Sequence, residues 1–432
     1  MTGSENKQTN KSNNRIHMKN SENYLQRRRF LKVMAASGLC PLLAPMARAA
    51  EVAGVLNNGS PTANDLVAEP VPRRKLGKTG VSIPCLAVGG VRKKEVMDRA
   101  LHFGFTHWDT AASYSGSEKA IGEYLSANKG VREKLFISTK PADIATPLPI
   151  VADVQKQLEQ SLQDLKTDYI DLYLGVHAMR SPNQLTDELR QFAETAKKKG
   201  QIRFFGFSNH ANTTDNLAAA AKLEWIDALL VAFNYRMMAR PNLKFTEALE
   251  ACHKANIGMI AIKTQGFGAK NLSEDEKKLT DHFTAKGFEE AQAKIKLVLE
   301  DKRFASASVG MSTVDIVNSC AGAALDRIKL SQLDRELLVQ HAHATCDSYC
   351  AGCANVCGAT LPAEFPLVSD IMRFMMYHEN YGEPERAREL FSQIPAELRQ
   401  RLLAADYGPA EARCPQRMPI GSLVAEACRK LA

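Results

Sequence analysis

Four side chains of the kind that move protons occur in one stretch of the chain, at Asp109, Tyr114, Lys140 and His177. A free tyrosine titrates at about pH 10, and a neighbouring lysine cation favours the phenolate and lowers that value. Asp109 would keep Lys140 charged and oriented, while His177 would hydrogen-bond a substrate oxygen. Such a set suits proton transfer to a carbonyl oxygen while a redox cofactor adds hydride to the carbon.

The elements that must position these residues alternate regularly along the chain. Short apolar runs predict strands, and the longer amphipathic runs between them predict helices. The predicted strands are Cys85–Val88, Thr106–Asp109, Leu135–Thr139, Tyr169–Leu174, Ile202–Phe207, Ala228–Phe233, Gly258–Ile262 and Ala305–Val309. The predicted helices include Lys94–His102, Glu118–Ala127, Val151–Leu165, Asp187–Lys199 and Phe245–Ala255. Strands and helices alternating over about 240 residues predict an α/β fold, the (β/α)8 TIM barrel.

Catalytic groups of such a barrel lie where its strands end, and the four residues occupy these positions. Asp109 ends the second predicted strand, with Tyr114 in the loop that follows. Lys140 and His177 follow the third and fourth strands. Neighbouring strands lie about 4.8 Å apart, so Asp109 and Lys140 should pair with Tyr114 over the lysine. A doubly wound sheet is the alternative, but Gly89-Gly90 after the first strand lacks its G-x-G-x-x-G signature.

Several segments resemble the aldo-keto reductase family. Residues 74–81, Arg-Lys-Leu-Gly-Lys-Thr-Gly-Val, resemble its opening hairpin, and residues 104–111, Gly-Phe-Thr-His-Trp-Asp-Thr-Ala, resemble its Asp/Tyr segment. Gly206-Phe207-Ser208-Asn209 resembles a later motif. The resemblance implies an NAD(P)-dependent oxidoreductase that transfers hydride between a nicotinamide cofactor, NADP(H) or NAD(H), and a carbonyl or alcohol substrate. It also implies a catalytic tetrad of Asp109, Tyr114, Lys140 and His177.

The same resemblance implies where the cofactor binds. Ser208 and Asn209 would hold the nicotinamide carboxamide, and Lys263 with Gly310, Met311 and Ser312 would contact the phosphates.

The sequence departs from the family pattern in this region. Leu230 stands where many members have Gln, and Ile262 stands where an aromatic ring stacks on the nicotinamide. Ser319-Cys320 replaces the Glu-Asn pair that holds the adenine. Because Ser312 replaces an Arg that binds the 2′-phosphate, the choice between NAD and NADP stays open. The alternative function is a redox or binding module that performs no hydride chemistry.

Cysteines are concentrated near the C-terminus, in Cys346-x3-Cys350-x2-Cys353-x3-Cys357 and in Cys414-Pro415. Thiolates at such short spacing converge on a soft metal or an iron–sulfur cluster. The run is similar to C-x2-C-x2-C-x3-C-P of ferredoxins and resembles the tail of some aldo-keto reductases. It predicts at most one [4Fe–4S] cluster, held by four of Cys346, Cys350, Cys353, Cys357 and Cys414. Disulfides and zinc are the alternatives.

The N-terminus predicts export. Residues 26–32, Gln-Arg-Arg-Arg-Phe-Leu-Lys, resemble a twin-arginine signal, and an uncharged stretch leads to a small-residue cleavage site at Ala47-Arg48-Ala49. We therefore expect a periplasmic or otherwise exported protein. Its predicted parts are a signal peptide at 1–49, a linker at 50–72, the barrel at 73–328 and a small helical Cys-rich domain at 329–432. We call residues 329–432 the C-terminal extension; its predicted helices are Ser331–Ala342 and Glu383–Ala405.

Charge and hydropathy restrict the partners. The net charge is +8, but residues 1–49 carry nine Lys or Arg and two Glu, so the remainder is nearly neutral. We expect no nucleic-acid partner, and no membrane span in the mature chain because no apolar run reaches about 20 residues. The expected partners are a small-molecule substrate and a redox partner protein. An exported enzyme meets little NADPH, so electrons would arrive on tightly bound nucleotide or through the cluster.

Overall fold

Parallel strands closed into a barrel form the centre of this computed structural model. An antiparallel hairpin, β1 (Arg73–Lys75) and β2 (Ser82–Pro84), precedes them. The barrel strands, in order, are β3 (Leu86–Gly89), β4 (His107–Asp109), β5 (Phe136–Thr139), β6 (Ile170–Met179), β7 (Ile202–Asn209), β8 (Ala228–Ala232), β9 (Gly258–Ile262) and β10 (Ser306–Gly310). Since β10 pairs with β3, the barrel is closed. The predicted (β/α)8 barrel is confirmed, with all of its predicted strands present.

The structure describes residues 70–142, 149–239, 243–266, 274–325 and 329–432. All of them belong to one compact unit, Pro61–Ala432. The predicted signal peptide, and the predicted linker up to residue 69, lie outside the described residues.

Strand β6 is longer than predicted, continuing beyond Leu174 to Met179, and β7 continues beyond Phe207 to Asn209. The pairing of β6 with β7 shifts register between Leu174 and Met179. Such irregularities let an extended chain continue while redirecting its side chains. His177 therefore lies within an irregular strand end, whereas the predicted strand stopped at Leu174.

Amphipathic helices surround the strands. They are α1 (Lys94–His102), α2 (Ser117–Ala127), α3 (Val151–Asp164), α4 (Asp187–Lys198), α5 (Thr213–Ala220), α6 (Tyr235–Ala239), α7 (Leu243–Lys254), α8 (Glu274–Ala285), α9 (Glu290–Glu300) and α10 (Val314–Ala324). Helix α4 shows why they form: Thr186 caps its first turn by accepting from Leu189 N at 3.2 Å. Leu189 and Phe192 bury its apolar face in the core between helices and strands.

The C-terminal extension is helical, as predicted. Its helices are α11 (Gln332–Ala344), α12 (Ala354–Gly358), α13 (Val368–Glu379), α14 (Pro384–Ser392), α15 (Ala396–Ala404), α16 (Gly408–Arg413) and α17 (Ile420–Leu431). The single stretch predicted at Glu383–Ala405 is wrong, because Pro395 separates α14 from α15. Proline lacks the N–H that a helix interior needs and disfavours helical geometry in the residue before it.

The extension has two hydrophobic attachments. Leu338 of α11 packs with Phe283 and Phe288 on the outside of the barrel. Helices α13 to α17 enclose a separate core that includes Phe374 and Phe391. This second part lies on the barrel rim at the carboxyl ends of the strands. No helix among the described residues combines the length and apolar character needed to cross a membrane.

Hydrogen bonds fix the extension to the rim beyond the ends of β6, β7 and β8. They are Arg180 Nε to Asp370 Oδ2 at 2.7 Å, Asn212 N to Gly352 O at 2.7 Å, Asn234 Nδ2 to Tyr349 Oη at 2.6 Å and Arg236 Nη1 to Thr345 O at 2.8 Å. The surface on which a (β/α)8 barrel carries its chemistry is therefore partly covered by the extension.

Candidate active site

A buried ion pair forms the base of the site. Lys140 Nζ lies 3.0 and 3.1 Å from the two carboxylate oxygens of Asp109, and it donates to Thr110 O at 2.7 Å. Asp109 pairs in register with Ser138 across β4 and β5, and Ser138 Oγ donates to its Oδ1 at 2.8 Å. Because alternate residues share a face of a strand, Ser138 and Lys140 both reach this carboxylate. The predicted ion pair is confirmed, and both partners are buried.

Tyr114 and His177 complete the group. Lys140 Nζ lies 4.9 Å from the centroid of the Tyr114 ring. The ring centroids of Tyr114 and His177 lie 6.4 Å apart. His177 Nδ1 is 2.9 Å from Pro141 O, and since a carbonyl only accepts, Nδ1 carries the hydrogen. The structure thus brings all the predicted catalytic residues to one side of the rim.

The acidity of Tyr114 differs from the expectation. Burial raises the pKa of Tyr114, and the charge of Asp109 raises it further, while the Arg386 guanidinium opposes this rise. The lowering of this pKa that Lys140 was expected to cause is outweighed, because burial is the largest influence on the phenol and acts in the opposite direction.

A second cation beside Tyr114 comes from the C-terminal extension. Arg386 of α14 lies between two rings, with its guanidinium carbon 5.2 Å from the centroid of Tyr114 and 4.2 Å from that of Tyr377. Glu383 accepts from Arg386 Nη1 at 2.8 Å and also lies 3.7 Å from Arg92 of the barrel. These ionic and aromatic contacts fix α14 directly above the tetrad.

Sequence reasoning missed these extension residues. The one available signal is that Arg373 and Tyr377 are spaced i, i+4 and so share a face of α13. That spacing could not show which surface the face covers.

The residues at the end of β7 fit the nicotinamide end of a cofactor. Asn209 Oδ1 accepts from Thr213 Oγ1 at 3.1 Å. Asn209 Nδ2 is buried and has no hydrogen-bond partner among the described residues. A buried donor without a partner is costly, and a carboxamide oxygen would satisfy it. Ser208 Oγ accepts from Ala178 N at 2.9 Å, which leaves its own hydrogen for a second acceptor.

The region implied for the phosphates lies after β10. Gly310 and Ser312 are exposed, whereas the Met311 side chain is buried. Thr313 caps α10, whose N-terminus favours anions. Backbone groups of this segment therefore suit phosphate oxygens, whereas Met311 offers no side-chain contact.

The residues that depart from the family pattern offer few polar groups to a cofactor. Leu230 and Ile262 are buried in the apolar interior of the barrel. Cys320 is a buried residue of α10, and burial raises its pKa to about 12. Ser319 Oγ donates to Glu289 Oε2 at 2.7 Å. No polar pair for an adenine is thus offered at positions 319 and 320.

Lys263, also implied for the phosphates, faces the extension. It follows β9 with a φ of +59°, a conformation that non-glycine residues adopt rarely and mostly at functional sites. Asn234 Nδ2 donates to the Lys263 carbonyl at 3.1 Å and so supports this backbone. Lys263 Nζ lies 4.6 and 5.1 Å from the ring centroids of Tyr381 and Tyr377.

Four cysteines share one small cavity of the extension. It is lined by Cys350, Cys353, Cys357 and Cys414, together with apolar neighbours. Burial raises the pKa of Cys350, and the other three thiols of the cavity raise it further. Cys346 is not among the lining residues. These cysteines form no disulfide, and no His, Cys, Asp or Glu group within the described ranges has metal-holding geometry.

Comparison with known proteins agrees with this geometry. The model of the Aldo/keto reductase family matches residues 90–341. An uncharacterized oxidoreductase of Bacillus subtilis is 29% identical over 43% of this chain and 64% of its own length. An NADPH-dependent codeinone reductase of Papaver somniferum is 28% identical over 51% of this chain and 76% of its own length.

Among solved structures, an aldo-keto reductase from Bacillus halodurans superposes with a TM-score of 0.51 and 21% identity. The superposition covers 63% of this chain and 96% of that one, so the shared part is the barrel fold. The family model covers more than half of the chain, and the rim holds the residues that the resemblance implied. The chain therefore belongs to the aldo/keto reductase family.

Proposed function

We propose that the protein transfers hydride between a nicotinamide cofactor and a carbonyl or alcohol substrate. The observation that carries this proposal is the convergence of Asp109, Tyr114, Lys140 and His177 at one rim. The buried, unpartnered amide of Asn209 at the end of β7 supports cofactor binding. Similarity to the NADPH-dependent codeinone reductase of Papaver somniferum supports NADPH as the cofactor.

Each residue of the tetrad has a distinct task in carbonyl reduction. The bound nicotinamide supplies the hydride that reaches the carbonyl carbon. Tyr114 Oη donates its proton to the carbonyl oxygen, so the product leaves as a neutral alcohol and solvent reprotonates the tyrosine. With Nδ1 donating to Pro141 O, His177 orients the substrate oxygen through Nε2, which must carry a second hydrogen to donate to a carbonyl and can accept from the hydroxyl of an alcohol. Asp109 fixes the position of Lys140. In the oxidising direction Tyr114 takes the alcohol proton instead.

The test is Tyr114→Phe, assayed anaerobically for NADPH oxidation against a panel of aldehydes and ketones. General acid catalysis contributes about 10²- to 10⁴-fold, and we expect a loss of kcat of that size. The matched control is Tyr124→Phe, because that phenol donates to Asp98 at 2.7 Å on the outside of the barrel. Unchanged turnover by Tyr114→Phe with every active substrate would overturn the proposal.

A second candidate is a redox or binding module without hydride chemistry. It is favoured by the apolar Leu230 and Cys320 in the cofactor region. Nucleotide titration separates the two candidates: absence of NADPH and NADH binding at any attainable concentration supports the second, and nucleotide-dependent turnover removes it.

We further propose that the C-terminal extension holds one [4Fe–4S] cluster on Cys350, Cys353, Cys357 and Cys414. Thiolates are the ligands such a cluster requires, and these four line one cavity. A bound cluster supplies single electrons, which a redox partner protein would deliver or collect. Support for coupling to the barrel comes from Gly352, whose carbonyl accepts from Asn212 N at 2.7 Å beyond the end of β7.

Export by the twin-arginine route is the third element of the proposal. Its support is the segment Arg27-Arg28-Arg29-Phe30-Leu31. We expect the wild-type protein in the periplasmic fraction of its host and the Arg27→Lys, Arg28→Lys double variant in the cytoplasmic fraction. Equal distribution of both would refute export by this route.

A further inference from the structure

A cavity of about 210 Å³ lies between the barrel rim and the C-terminal extension. His210, Ala232 and Lys263, which follow or end β7, β8 and β9, form its barrel side. Helix α13 and Cys350 form the opposite side. Since its walls come from two parts of the chain, the cavity exists only when the extension is docked.

The cavity adjoins the proposed catalytic residues. The ring centroid of His210 lies 6.2 Å from that of His177. Pockets for drug-sized ligands measure roughly 300–1,000 Å³, so this cavity suits a smaller molecule and is too small for a whole dinucleotide. A molecule held beside His210 would therefore lie close to His177 of the tetrad.

The lining charges are not evenly compensated. Lys430 is paired with Glu379 at 2.8 Å and also with Glu426. Arg373 is paired with Asp370 at 3.1 Å. Lys263 differs, because it forms no ion pair with a carboxylate in the described part of the chain.

The surroundings of Lys263 favour an anion. Its ammonium contacts two tyrosine rings and the Tyr381 hydroxyl, the latter at 3.4 Å. Burial and the charges of Arg373 and Arg386 lower the pKa of Lys263, with Glu383 opposing. An anion beside Lys263 would relieve this repulsion and stabilise the charged ammonium.

The remaining wall is apolar and adaptable. Met372, Met375 and Met376 of α13 line it together with Met418. Methionine is unbranched and polarizable, and it adapts to ligands of different shape. The cavity therefore has one cationic end and one flexible apolar side.

We propose that this cavity binds a small organic anion, with its carboxylate or phosphate on Lys263 and Arg373 and its apolar part against the methionines of α13. The inference rests on the proposed function, because it identifies the substrate as an anionic carbonyl or alcohol compound. It also assigns Lys263 to this substrate and removes it from the phosphates of the cofactor.

Calorimetric titration of the full-length protein with benzoate tests the proposal without turnover. Benzoate should bind, whereas benzamide, which has the same shape and no charge, should bind at least about tenfold more weakly. A hydrogen bond to a charged group contributes about 1.5–3 kcal/mol, and about 1.4 kcal/mol corresponds to tenfold in affinity. Equal binding of the two probes, or no binding of benzoate, would overturn the proposal.

Two variants locate the anion. Lys263→Met and Arg373→Met should each weaken benzoate binding by about tenfold or more. Arg388→Met, an exposed arginine of α14, is the control and should leave the affinity unchanged. Benzoate affinity that stays unchanged in both Lys263→Met and Arg373→Met would contradict the proposed site. Since the benzamide comparison needs no variant, it stands even if a variant fails to fold.

Competition with NADPH shows whether Lys263 binds the anionic group of a substrate or the phosphates of the cofactor. If benzoate binds equally well at saturating NADPH, Lys263 serves a substrate; competition between them would return Lys263 to the cofactor phosphates and overturn the proposal. Benzoate binding in a protein that turns over no carbonyl would refute the proposed hydride transfer alone. Failure of the proposed anion site and failure of the proposed hydride transfer therefore give different results.

Discussion

The two halves of the barrel rim are constructed differently. At β4 and β5 the barrel alone supplies the buried pair of Asp109 and Lys140, with hydrogen bonds to residues of the same two strands. Beyond β7, β8 and β9 the barrel supplies only one wall, and the extension supplies the other. The ion pair of the first half is thus built by the barrel alone, whereas the second half becomes a cavity only through docking.

The extension contributes side chains to both halves of the rim. Arg386 of the extension lies against the first half, the one at β4 and β5, where it contacts the ring of Tyr114. Removing or displacing the extension should therefore alter both halves, though for different reasons. Four predictions address the comparison.

Loss of the proposed cluster is the largest expected effect, and it is confined to the extension. Cys414→Ser should lose the cluster, whereas Cys346→Ser, outside the shared cavity, should retain about four iron atoms per chain. Iron and sulfide analysis of protein purified without oxygen provides the measurement. Equal iron loss in both variants would show that Cys346 is a ligand.

Lys140→Met should destabilise the barrel-built half by about 3–5 kcal/mol, because it leaves Asp109 buried without its counter-charge. Urea unfolding measures this loss. Adding Asp109→Asn should restore part of the stability while activity stays low. If the single variant is as stable as the wild type, the pair does not hold this half together.

Gly352→Ala should weaken docking by about 1–2 kcal/mol through its left-handed geometry, and a steric clash should add to this loss. Gly352 has a φ of +76°, and an added Cβ would lie 2.6 Å from His210 O. Gly358→Ala is the control, because a Cβ there meets nothing within 4 Å. Hydrogen exchange of α13 should rise only in the first variant; a rise in both would refute this docking contact.

Arg386→Met should have the smallest effect and should act through pH. Since the Arg386 charge lowers the pKa of Tyr114, its removal should raise that pKa further. Alcohol oxidation needs the phenolate, so its rate at a fixed pH should fall about tenfold for each unit of rise. The alkaline limb of carbonyl reduction should move to higher pH.

Arg386→Lys should lie between the wild type and Arg386→Met, and Arg388→Met should match the wild type. Unchanged pH profiles in Arg386→Met would remove the extension from the chemistry of Tyr114.

The sequence alone determined the barrel and the composition of its first half. Apolar runs of strand length recur between amphipathic helices, and this pattern depends on residues close together in the chain. Asp109 and Lys140 end consecutive strands, so parallel pairing alone brings them together. The shared cavity of Cys350, Cys353 and Cys357 likewise follows from short spacing.

Only the tertiary structure decided the second half. Arg386 and Tyr114 are far apart in sequence, and no periodicity records which surface α14 covers. The inclusion of Cys414 in the shared cavity depends on how α16 packs on α12. The raised pKa of Tyr114 has the same origin, because desolvation depends on every element that surrounds the phenol. Local pattern therefore specified the strands and their terminal residues, whereas packing of distant segments specified the environment in which those residues act.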